Sequence, residues 1–179
     1  MVFFIVLAVT SCINRSRGKA LIESSKEQDL IFQERMINDI KISVQYMPAE
    51  LKLLKHQQSG SVISHEDSVD ILSFSDFKVI IQKNFWKPEK ATIEYMSFKI
   101  GSDFVLIDSN NDTIKTSICE RMVNGSSDTH ELLMSFETGA AYDARQEGFK
   151  LVYLDKLLGT GALYFNIPGS AIKNLRDIN

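Results

Sequence analysis

Three histidines, two cysteines and a scatter of carboxylates are the groups of this chain that could do polar chemistry. His65-Glu66-Asp67 places three metal-ligand types in a row, but consecutive side chains converge poorly on one ion, and the helical His-Glu-x-x-His spacing that brings two imidazoles to zinc is absent. A solvated loop running from His56 past His65 is the simpler reading. His130 stands before an apolar run with no carboxylate to orient it and is expected at the surface. Asp108-Ser109-Asn110-Asn111-Asp112 offers oxygen ligands at alternate positions, as calcium requires. It departs from a calcium loop at Thr113, where glycine is needed, and at Cys119, where a bidentate glutamate is needed, so a hairpin turn held by side-chain-to-backbone bonds is expected. Ser61 and Ser64 merely share a loop with His65, and no Gly-x-Ser-x-Gly elbow occurs. Gly159-Thr160-Gly161 is not a dinucleotide fingerprint, because Tyr164 holds the third glycine position and a strand follows. Period-two alternation places Cys119 with Lys115, Ser117 and Arg121, opposite Ile114 and Ile118, where the cations would favour a thiolate; with no histidine close in sequence, a small packed strand side chain is the simpler reading. No acid, base and nucleophile come together. The residues therefore imply neither enzyme activity, nor a metal, nor a cofactor.

The elements that would position these groups are mostly strands. Ser24-Ser25-Lys26-Glu27 has the form of a capping box, and Phe32, Met36 and Ile40 recur at helical spacing, so a short N-terminal helix is expected to end near Asn38. Ile40, Ile42, Val44 and Tyr46 then alternate with polar residues as in a half-buried strand. Pro48 closes it and could open a second short helix over 48–56. Residues 57–70 form the longest polar loop. Beyond it, strands are expected over 77–82, 91–95, 104–107, 114–122, 131–136, 149–154 and 162–167, separated by turn residues such as Lys87-Pro88 and Asn124-Gly125. With no β-helix-β rhythm, this pattern predicts a mainly β protein built as an antiparallel sandwich.

Composition narrows the function. A formal net charge of -3, from 20 basic and 23 acidic side chains, argues against a nucleic-acid surface. The uncharged run 2–9 is too short to cross a bilayer, which takes about 20 residues, but has the length of a signal-peptide apolar region. It ends in Val9-Thr10-Ser11-Cys12. Here the chain resembles bacterial lipoproteins, whose lipobox carries an aliphatic residue, two small residues and the cysteine that is acylated after cleavage before it. The resemblance implies a signal peptide over 1–11, a lipid such as palmitate on Cys12, and a tether over 12–28 in which Arg15, Arg17 and Lys19 lie near headgroups. It leaves Cys119 without a disulfide partner. No Lys or Arg occurs between Val2 and Ser11, and the same run would also suit a buried strand of a cytosolic protein.

The domain is expected over 29–179, and its stretch 77–167, with Val79-Ile80-Ile81-Gln82-Lys83-Asn84 and Phe104-Val105-Leu106-Ile107-Asp108 as strands, resembles the immunoglobulin-like domains of exported lipoproteins. The cysteine pair and strand tryptophan of antibody domains are absent, the single tryptophan being Trp86 in a turn-like Asn-Phe-Trp-Lys-Pro context. The expectation is a lipid-anchored, non-enzymatic binding or assembly module of the cell envelope, with the membrane as one partner and an envelope protein or glycan as another. His65 in the polar loop and Trp86 are the expected contact residues, although Trp86 would equally plug the end of a sandwich. The alternative is a small-molecule carrier or hydrolase on a small β-barrel, with a cavity lined by Phe98, Tyr153 and Tyr164.

Overall fold

A computed structural model describes residues 31–49, 52–53, 56, 59, 63–84, 87–122, 128–139, 147–170 and 172. Strand alternation dictates the core. In β2 (Ile40–Met47), Ile40, Ile42, Val44 and Tyr46 turn inward, and β3 (Phe74–Lys83) buries Phe77, Val79 and Ile81 beside them. β4 (Phe104–Ile107), β6 (Thr129–Glu137), β7 (Gly148–Leu154) and β8 (Ala162–Pro168) repeat the pattern with residues such as Leu106, Met134, Leu151 and Phe165. Aromatic rings knit these rows together: Phe77 meets Phe136 edge-on at 5.6 Å between centroids, and Phe104 stacks on Tyr153 at 4.5 Å. Each such fully buried side chain contributes about 1.5–3 kcal/mol over its exposed state.

The described strands, completed by β1 (Phe32–Ile37) and β5 (Thr113–Met122), form one antiparallel sheet in the order β1-β2-β3-β6-β5-β4-β7-β8. The sheet curls until its two edges face each other, with side chains of β1 reaching the backbone of β8, so the shape is a nearly closed barrel. The mainly β, antiparallel expectation holds, but one continuous sheet differs from the two facing sheets of an immunoglobulin-like sandwich. Inward-outward alternation is the same in both, because each strand covers a core on one face; closure depends on twist and bulges, which leave little trace in a hydrophobic pattern.

Two elements exchange identity relative to expectation. The stretch read as the N-terminal helix holds β1, joined to β2 by a tight turn in which Asn38 takes a φ of 56°. The four-residue spacing misled because Phe32 and Met36 point outward, 40% and 66% exposed, while Ile40 belongs to the next strand. Conversely, 91–95 is not a strand: α2 (Lys90–Phe98) buries Met96 and runs into a 3-10 turn, Ile100–Asp103. The polar loop over 57–70 gives way to α1 (His65–Leu72), started by a capping box in which Ser64 Oγ accepts from the Asp67 N-H at 3.0 Å. In the expected helix over 48–56, the described residues Ala49, Lys52, Leu53 and His56 are helical. Lys52 reaches back to the fully buried Asp76 on β3, whose other oxygen accepts from Ser135 Oγ at 2.6 Å. Among the described residues no helix is long and apolar enough to cross a membrane.

Candidate functional site

The best-defined site forms where α2, the 3-10 turn and the connection between β7 and β8 meet. Asp155 follows β7 directly and organises that connection: its Oδ1 accepts from the amides of Leu157 and Leu158, both at 2.8 Å, and its Oδ2 from the Thr160 amide at 2.5 Å and hydroxyl at 2.9 Å. Gly161, with a φ of 74°, returns the chain to β8. So held, the loop projects Lys156 onto Asp103 Oδ1 at 2.7 Å. Asp103 is fully buried, and the Tyr95 hydroxyl donates to its two oxygens at 2.9 and 2.8 Å. One carboxylate thus fastens the helix, the turn and the loop.

Beside this knot lies a cleft of about 530 Å³ lined by Ala91, Thr92, Tyr95, Phe98, Lys99 and Leu157, among others. Phe98 stands 85% exposed at its rim. Burial, then the hydrogen bond to Asp103, pushes the Tyr95 hydroxyl up to about 12, so it stays protonated and serves as a donor. Burial would raise the Asp155 carboxyl, but the amides of Leu158, Thr160 and Leu157 and the Thr160 hydroxyl outweigh it and hold the group below its usual range. Burial, then Asp155, drives the Tyr153 hydroxyl strongly upward. These polar groups are turned on one another, and the cleft presents Ala91, Leu157 and the rim residue Phe98 beside the polar Thr92, Glu94 and Lys99.

The expected site residues are dispersed. His65 is the exposed first residue of α1, and its neighbour Asp67 is engaged by Ser64. Among the described residues no three metal-ligand side chains gather. Cys12 and Trp86 lie outside the described residues. Asp108 forms the expected hairpin turn, its Oδ1 accepting from the Asn110 and Asp112 amides, both at 2.9 Å.

Three expectations fail on geometry. His130 is buried, 2% exposed, because it continues the inward row of Leu132, Met134 and Phe136; burial, then the Arg121 charge, holds its imidazole below the ordinary value. Cys119 packs against the core instead of sharing the outer face, since a bulge between Thr116 and Ile118 inverts the alternation and leaves Ile118 48% exposed. Burial, then Glu120, raises its thiol to about 11, the reverse of cation activation. Phe98, Tyr153 and Tyr164 line no common cavity: Phe98 rims the surface cleft, Tyr153 is fully buried, and Tyr164 is 52% exposed on β8.

The sequence signal for the knot is faint: an Asp five residues before Thr160-Gly161, with Gly159 between, is the pattern of a side chain capping a turn. Nothing local marks Asp103 as the partner of Lys156, which lies 53 residues away.

No protein-family model matches the chain, and no curated protein does. Among solved structures it is similar to a DUF4426 family protein from Pseudomonas aeruginosa, at 12% identity and a TM-score of 0.39 over 76% of this chain and 92% of that one. It is also similar to a novel protein of unknown function from Burkholderia pseudomallei, at 10% identity and a TM-score of 0.41 over 96% of this chain and 94% of that one.

Proposed function

We propose that this chain is a lipid-anchored lipoprotein of the bacterial cell envelope, acylated at Cys12, whose domain acts as a non-enzymatic binding or assembly module for an envelope protein or glycan. The observation that carries it is the uncharged run ending in Val9-Thr10-Ser11-Cys12. Stable anchoring needs more than one acyl chain, since a single chain gives only marginal attachment at about 0.8 kcal/mol per buried methylene. The rigid knot around Asp103 and the exposed Phe98 support the binding half of the reading, because aromatic side chains at a preformed cleft are frequent anchors of interfaces. The carrier reading draws support from the barrel-like shape, but Tyr46, Phe77, Phe136 and Phe165 fill the space between the strands. Saturable, stoichiometric binding of a fluorescent apolar probe would favour the carrier. The module is tested by a photo-crosslinking amino acid in place of Phe98 in living cells, with the exposed hairpin residue Asn110 as control. A discrete adduct from position 98 that is missing from position 110 is expected; no adduct, or the same adducts from both, overturns the module.

A further inference from the structure

The closure of the barrel is incomplete in a particular way. Among the described residues no backbone ladder joins β1 to β8, and side chains of β1 span the gap instead. The Gln33 amide donates to the Asn166 carbonyl and accepts from the Asn166 N-H at 3.1 Å, and Arg35 donates to the Tyr164 carbonyl at 3.3 Å. In an antiparallel strand the N-H and C=O of one residue point to the same edge, so Tyr164 and Asn166 present successive backbone groups to the gap at the two-residue spacing of a ladder. The primary amide of Gln33 bonds to Asn166 as a neighbouring peptide unit would. β1 therefore meets β8 through this side chain and not through a backbone pair. Apolar groups flank the gap: Phe32 and Met36 on β1, with Glu34 between them, and Tyr164 on β8 are exposed, while the exposed Arg35 guanidinium lies over the buried Phe165 ring at 5.5 Å.

We propose that the β1–β8 gap is a strand-acceptor site, which takes up an extended segment of a partner polypeptide as an added strand on β8, with Gln33 and Arg35 as place-holders that swing aside. The ligand class is an unfolded peptide with alternating apolar side chains, recognised through its main-chain amides. The proposal rests on the binding-module reading and supplies that module with a kind of partner and a place.

The test is a titration of the full-length chain in detergent with the peptide acetyl-Lys-Thr-Val-Thr-Ile-Thr-Val-Lys-amide, followed by amide hydrogen exchange of individual residues. Exchange at Tyr164 and Asn166 should slow by about tenfold at saturation. Gln33→Ala, which removes a competing hydrogen bond, should tighten the peptide by about fivefold. The same peptide N-methylated at every Thr, Val and Ile should do nothing. Unchanged exchange in the wild-type chain, equal protection by the methylated peptide, or weaker binding to Gln33→Ala assigns both side chains to protecting a sheet edge and overturns the site. Failure at the gap together with a discrete adduct from position 98 overturns this site alone; failure of both overturns the binding-module reading as well.

Discussion

At the scale of single residues, Asp155 carries the clearest consequence. Its carboxylate gathers the amides of Leu157, Leu158 and Thr160 and the hydroxyl of Tyr153, and these bonds favour the charged form. A folded-state value below the ordinary 3.8 means its contribution is complete above 3.8 and is lost as the pH falls through the lowered value. Asp155→Asn should cost about 1–3 kcal/mol at neutral pH, with the gap to wild type narrowing in acid, as read by denaturant unfolding at several pH values. A penalty that persists below the lowered value would show that charge is not the cause. Cys119 makes the opposite case. With its thiol raised to about 11, its alkylation by iodoacetamide in the Cys12→Ala chain should be slow at pH 7 and keep rising beyond pH 9, where an exposed thiol of pKa about 8.5 has levelled off. The Asp108 turn could be read from residue types because its bonds are local. The Lys156–Asp103 pair could not, because its partners meet only once the strands between them have folded.

At the scale of elements, boundaries followed what each segment packs against. β2, β6 and β8 were legible from alternation of covered and wetter positions, and β4 and β7 from short apolar runs, Phe104–Ile107 and Leu151–Tyr153, that are covered more continuously. β1 was not, since its outer face carries Phe32 and Met36 as the core face of a helix would. α1 lies in a stretch whose polarity resembles a loop, and its start is marked only at Ser64, whose hydroxyl and Asp67 cap each other's backbone. Ser64→Ala should cost about 1 kcal/mol of stability by thermal unfolding, and a neutral result would mean that α1 adds little to the fold. The 3-10 turn is pinned more tightly. A Cβ on Gly101 would lie 2.7 Å from the Cys119 Cβ, so Gly101→Ala should displace the turn from β5 and destabilise the chain by about 1–3 kcal/mol. Stability equal to wild type would show that β5 yields there.

At the scale of the whole molecule, antiparallel pairing was foreseeable from alternation, and the number of strands agrees only because the unexpected β1 offsets the helical 91–95, whereas closure into a barrel rests on twist, on the bulge in β5 and on the bonds that Gln33 and Arg35 make across the gap. Aromatic side chains such as Phe77 and Phe136 pack the interior, and Phe98 faces outward. What fixes that surface in place is the proposed lipid, which makes acylation of Cys12 the point on which the functional reading turns. The most direct measurement is incorporation of labelled fatty acid in the bacterial host by the wild-type chain and by Cys12→Ala. Label in the wild-type membrane fraction, absent from the variant, is expected; equal labelling of both, or none in either, contradicts the anchored lipoprotein.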